Sequence, residues 1–207
     1  LASAAIISCS PETIAAGGKT KPSTPTTPTT PTEPLDPGAS TDPTPSTLRS
    51  VEVKLVSGGC HALALEDYGE NSYALKCTGG DPYVFSEKFS SALDDDMQIL
   101  EFEYKCSQAI DDFQIFYAKK GAASESSSQK YNGFRGNTSN YVTFKCDISK
   151  FRDDGFGKVG DRLRLDPGDN GGFTFYIRNI RFREMNETEK AEHEENLTDE
   201  QKKKRMA

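Results

Sequence analysis

The chain has 207 residues, is 34% hydrophobic and carries a formal net charge of -7. Its Lys and Arg residues are interleaved with acids over most of its length, so no basic stripe tracks a phosphate backbone, which excludes a general nucleic-acid binder. No apolar run reaches the ~18 residues that a membrane-spanning helix needs.

Residues 1–9 end in Ile6-Ile7-Ser8-Cys9 after small and apolar residues. They read as the remainder of a secretory signal, and the tetrapeptide resembles the bacterial lipobox, which predicts lipidation of Cys9 and a membrane anchor. Residues 10–48 are rich in Pro, Thr and Ser, as in Thr24-Pro25-Thr26-Thr27-Pro28. Such a stretch buries no apolar area and favours extended polyproline conformations, so it predicts a disordered, semi-rigid tether.

The folded part is expected over 49–184. Val51–Val56 alternates as a first strand, and Gly58-Gly59 turns the chain. Further strands follow at 61–66, 72–77, 83–89, 97–106, 113–118 and 141–148, separated by turn residues. The clearest is Met97–Cys106, with Leu100, Phe102, Tyr104 and Cys106 on one face and Glu101, Glu103 and Lys105 on the other. Residues 121–140 and 149–160 read as loops. Asp161–Arg183 reads as strand, tight turn, strand, with Leu163 and Leu165, then Phe173, Phe175 and Ile177, filling the core while the arginines face out. Roughly nine short strands without a convincing helix predict an all-β fold, a two-sheet antiparallel β-sandwich of jelly-roll type. Residues 185–207 are rich in Glu and Lys and have almost no apolar face. They predict a charged helical or disordered tail that does not pack tightly on the sandwich, and that leads to a neighbouring C-terminal domain.

Besides Cys9, the cysteines are Cys60, Cys77, Cys106 and Cys146. In an exported chain they allow three disulfide pairings, and buried thiols fit the alternation equally well. No Cys-x-x-Cys pair exists, which argues against zinc. Glu101 and Glu103 share a strand face at about 7 Å, a spacing compatible with two-carboxylate hydrolysis. Their mid-strand place beside Lys105 favours an ordinary polar sheet face instead. Asp166, Asp169 and Asn170 offer oxygen ligands for a structural calcium ion, the one cofactor that the sequence admits. The best binding candidates are Tyr131, Asn132, Phe134 and Arg135 in the long loop, since aromatic faces stack on sugar rings while amides and guanidinium groups fix hydroxyls. Arg162, Arg164, Arg178, Arg181 and Arg183 read as an outer face pairing with acids, or as a basic face for an acidic glycan.

The lipobox-like tetrapeptide and the Pro/Thr stalk precede the segments Leu100-Glu101-Phe102-Glu103-Tyr104, Cys146-Asp147-Ile148-Ser149, Leu163-Arg164-Leu165-Asp166 and Ile177-Arg178-Asn179-Ile180. Together they resemble surface glycan-utilisation lipoproteins of Bacteroidetes type, in which a carbohydrate-binding or galactose-binding-like β-sandwich precedes a glycan-active domain. The resemblance spans roughly 51–190. It departs from that group in having no Trp, and in Pro167 where an aromatic or aliphatic residue is usual. It implies a non-catalytic, accessory glycan-binding module on the outer membrane. The alternative is a spacer that orients a neighbour without binding sugar.

Overall fold

The computed structural model describes residues 48–197. The signal remnant and Cys9, the tether up to its last residue and the tail from 198 onward lie outside the described residues.

Eleven strands are found among the described residues: β1 (Ser50–Glu52), β2 (Leu55–His61), β3 (Leu63–Asp67), β4 (Ser72–Cys77), β5 (Tyr83–Ser86), β6 (Met97–Cys106), β7 (Phe113–Ala118), β8 (Ser128–Tyr131), β9 (Asn137–Asp147), β10 (Arg162–Pro167) and β11 (Phe173–Glu184). Two short α-helices, α1 (Ser149–Asp153) and α2 (Glu187–Asn196), are also found among the described residues. One sheet runs β3-β4-β11-β6-β9 with β1 added beside β11, and the other runs β2-β5-β10-β7-β8. Every pairing between strands is antiparallel. This is the expected two-sheet sandwich. Its core is drawn from both inner faces: Phe102, Tyr104, Phe175, Ile177 and Phe182 from one sheet, and Val84, Phe113, Ile115, Tyr117, Leu163 and Leu165 from the other. Burial of that apolar area, at about 25 cal/mol per Å², is the main force holding the sheets together.

Three expectations are corrected. The Val51–Val56 strand is broken at Val53-Lys54: β1 joins the six-stranded sheet, where the Val53 amide still donates to the Ile180 carbonyl of β11 at 2.9 Å, while β2 joins the five-stranded sheet. The chain then runs through Gly58-Gly59 as part of β2, with a register shift between Val56 and His61 where Gly59 takes a φ of 101°. Secondly, Asp161–Arg183 is not a pair of neighbouring strands. β10 lies in the five-stranded sheet and β11 in the six-stranded one, so the 168–172 stretch crosses between sheets. That crossing is tight. A Cβ added to Gly171 would stand 2.4 Å from the Gly79 amide nitrogen and 2.5 Å from the Thr78 carbonyl carbon. We expect Gly171→Ala to cost about 1–3 kcal/mol by forcing the two turns apart, read as a lowered thermal midpoint, while alanine at the open, negative-φ Gly58 costs far less.

The third correction concerns the tail. Asn186 caps α2 in a reciprocal capping box with Glu189, which satisfies two orphan amides and explains why a polar stretch becomes helical here. Glu189 then sits 6% exposed, because it accepts from Arg183 (2.6 and 2.8 Å) and from Lys145 (2.7 Å). His193 meets Asp147 at 2.6 Å, and Met185 is buried. α2 therefore docks on the outer face of the six-stranded sheet by charge rather than by an apolar stripe, which is why hydropathy did not foretell it.

Candidate functional site

Alternation along each strand sorts the five-stranded sheet into a core face and an outer face. On β5, Val84 and Ser86 are buried inward, so Tyr83 and Phe85 point out. On β10, Leu163 and Leu165 enter the core and leave Arg162, Arg164 and Asp166 outside. On β7, Phe113, Ile115 and Tyr117 enter the core, and Gln114 and Phe116 face the other way. Since β10 lies between β5 and β7, these side chains meet in one band.

Arg164 is its centre. Its guanidinium carbon lies 3.8 Å from the Tyr83 ring centroid and 4.6 Å from that of Phe116. Its Nε and Nη2 donate to both Asp166 oxygens at 2.8 and 2.6 Å, and Asp81 stands 3.6 Å away. A guanidinium stacked on rings and paired bidentately is fixed before any ligand arrives. Arg162 stacks on Phe85 at 3.6 Å and donates twice to the Gly121 carbonyl. His61 stacks on Tyr83, with ring centroids 5.3 Å apart. Gln114 is held by Glu125 (2.9 Å) and Ser128 (2.8 Å). Burial pushes the Asp166 carboxyl up to about 6, against the opposing pull of the Arg164 guanidinium. The band therefore presents the half-buried rings of Tyr83 and Phe85 and a rigid cation on a sheet face, with Phe116 and the titratable Asp166 buried beside them. Such a surface stacks on and hydrogen-bonds polyhydroxylated rings.

The long-loop candidates are not brought together as a binding face. Phe134 is 2% exposed. It stacks on Phe113 (4.4 Å) and Phe144 (5.1 Å) and touches Phe102, Tyr104 and Phe175, so it offers no face to a ligand. Tyr131 is half-buried, edge-on to Phe144, with its hydroxyl 3.2 Å from that of Tyr117. These two rings pin the loop to the core, because the 3-10 turn Glu125–Ser127 and β8 fold the loop back along β7. Asn132 and Arg135 remain exposed at its tip. Nor do the calcium candidates converge: both Asp166 oxygens are occupied by Arg164, while Asp169 and Asn170 point to solvent. Among the described residues no group of three or more His, Cys, Asp or Glu is arranged to hold a metal.

Glu101 and Glu103 are both committed to arginines. Glu103 takes Arg178 at 2.5 Å, and Glu101 takes Arg181 and, at 2.7 Å, Arg183. Hydrogen bonds and charge from those arginines outweigh burial and hold the Glu101 carboxyl below its usual range, so it has no proton to give near neutrality. Cys60, Cys77, Cys106 and Cys146 are free thiols. Burial pushes Cys77 up to about 12 and Cys146 up to about 11, which makes both poor nucleophiles.

The sequence named Arg162 and Arg164 but missed Tyr83, Phe85, Phe116 and His61 as their partners. The available signal was that Tyr83-x-Phe85 and Arg162-x-Arg164-x-Asp166 have the same period of two, each with a filled apolar register between.

No known family model matches the chain, and no curated protein matches it. Solved structures similar to it include a family 29 carbohydrate-binding module, at 18% identity and a TM-score of 0.45, covering 65% of this chain and 89% of that one. A variant of such a module complexed with cellulohexaose is similar at 17% identity and a TM-score of 0.41, covering 66% and 91%. Another, complexed with mannohexaose, is similar at 16% identity and a TM-score of 0.42, covering 66% and 92%.

Proposed function

We propose that the outer face of the five-stranded sheet binds a glycan chain and that the protein is a non-catalytic binding module. The observation that carries the reading is the pre-set Arg164 guanidinium, held between Tyr83 and Phe116 and clamped by Asp166. Rings that keep an edge or face in solvent receive the apolar C–H faces of sugars, and Arg164, His61 and Gln114 supply hydrogen bonds to hydroxyls, while Asp166 holds Arg164 in place. Holding these groups rigid in advance lowers the entropy lost on binding. The commitment of Glu101 and Glu103 to arginines supports a binding rather than a hydrolytic role. The exposed loop-tip residues Asn132 and Arg135 are retained as outlying contacts. In the same proposal Cys9 carries a lipid, residues 10–48 hold the module away from the outer membrane at the cell surface, and a glycan-active domain follows it.

Affinity electrophoresis through gels containing soluble plant, host and microbial glycans tests this, with cellulohexaose and mannohexaose titrated calorimetrically as defined probes. Retardation by at least one polymer is expected; migration unchanged in all of them overturns the proposal. Binding should also follow Asp166. Above about pH 6 its carboxylate holds Arg164 by two charge-assisted bonds, and below that it protonates and the clamp loosens. Affinity for the retained glycan is therefore expected to fall as pH drops from 7 to 5. In Asp166→Asn the pH profile flattens; an unflattened profile removes Asp166 from the account.

A further inference from the structure

The six-stranded sheet has an outer face of its own, and α2 covers only part of it. Glu189 and His193 sit over Arg183, Lys145 and Asp147 at one end. Beyond that end, Lys105 on β6 pairs with Tyr176 on β11, Tyr176 with Ala74 on β4, and Ala74 with Glu66 on β3. Tyr141 on β9 lies on the far side of Lys105. The Lys105 ammonium stands 5.0 Å from the Tyr141 ring centroid and 4.9 Å from that of Tyr176. Arg178 stacks on Tyr141 at 3.8 Å. Two tyrosines thus flank one lysine, about 9.5 Å apart at the usual spacing of strands.

The charges of this face make the lysine stand out. Arg178 is paired with Glu103, Arg181 and Arg183 with Glu101, Lys145 with Glu189, and Lys76 with Glu66. Among the described residues Lys105 is held by two ring faces and by no carboxylate. An ammonium between aromatic rings keeps its N–H groups available to an incoming anion, and the rings beside it take apolar faces.

We propose that Tyr141, Lys105 and Tyr176 form a second carbohydrate-contact surface, whose ligand is an acidic polysaccharide with a carboxylate on Lys105 and sugar rings on the two tyrosines. It is independent of the band around Arg164, which lies on the other sheet. A chain of net charge -7 is repelled overall by a polyanion, so retention by one requires a local site.

The test uses the full 207-residue chain in native gels containing polygalacturonate at low and at high salt. Retardation at low salt, weakened by added salt, is expected. Lys105→Met, which keeps the apolar stem, and Tyr176→Ala are each expected to weaken it by about tenfold, with thermal midpoints close to that of the parent. Tyr83→Ala, on the other sheet, should leave polygalacturonate retention intact while weakening any neutral glycan bound there. The proposal is overturned if polygalacturonate does not retard the chain, or if Lys105→Met and Tyr176→Ala are retarded like the parent. It is equally overturned if retardation is lost only in Tyr83→Ala, which moves the acidic ligand to the first face. A dimer seen by light scattering that Tyr176→Ala dissolves would assign the surface to a second copy of the chain instead.

Discussion

Arg164→Ala is expected to weaken glycan binding about 100-fold, equivalent to roughly 2.7 kcal/mol. Two losses add up. A charged donor to sugar hydroxyls disappears, and the rings of Tyr83 and Phe116 lose the plane that spaces them. Arg164→Lys should recover little, because an ammonium neither stacks as a plane nor bonds both Asp166 oxygens in a fork. Arg162→Ala should cost less, since Arg162 rests on Phe85 alone and spends its donors on a backbone carbonyl. Removing Arg164 also strands a buried acid, because Asp166 is 6% exposed. The double variant Arg164→Gln with Asp166→Asn separates the two effects: it removes both charges together, and it should keep the thermal midpoint while binding stays lost. Titration calorimetry against the retained glycan reads all four. If Arg164→Ala binds as the parent does, the site is not on this sheet face.

What could be read from residues alone divides along a physical line. Met97–Cys106 and Phe113–Ala118 have the expected bounds because each is a dense apolar run paired on both sides, even where Ile99-Leu100 and Phe116-Tyr117 put apolar residues on both faces. Whatever depended on a distant partner did not emerge. Turn residues at 168–172 look the same whether the chain returns to its own sheet or crosses to the other, and the crossing rests on Gly171 lying against Thr78-Gly79. The spacing of Arg178 and Arg181 is another case. Residues three apart on a regular strand face opposite ways, yet both arginines reach the outer face. A bulge at Asn179-Ile180 absorbs the odd residue: Asn179 takes a φ of 55°, and Asn71 bonds the Ile180 carbonyl at 2.9 Å. Loop aromatics carry the same ambiguity. Tyr131 and Phe134 have a composition suited to a sugar platform, but β8 turns them onto Phe144 and Phe113. The Arg164 band escaped notice because β5, β7 and β10 become neighbours only in the folded sheet.

Glu101→Ala is expected to be the most damaging change to the outer face of the six-stranded sheet, costing about 3–5 kcal/mol. For a domain of this size that corresponds to a fall in thermal midpoint of roughly 10 °C. Glu101 joins Arg181 and Arg183, and Arg183, 5% exposed, passes the link on to Glu189 and so to α2. Deleting Glu101 leaves Arg183 buried beside a single carboxylate and frees Arg181. The neighbouring Glu103 makes the contrast. Its partner Arg178 has a side chain that is 42% exposed, so water and the Tyr141 ring take over when the carboxylate goes. Glu103→Ala should therefore cost only about 0–1 kcal/mol. The two carboxylates that sequence spacing offers as a hydrolytic pair thus differ by burial of their partners rather than by chemistry. Circular-dichroism melts of the two variants at pH 7 decide it. Equal midpoints would mean that Arg183 is satisfied without Glu101, by Glu189 on α2 alone.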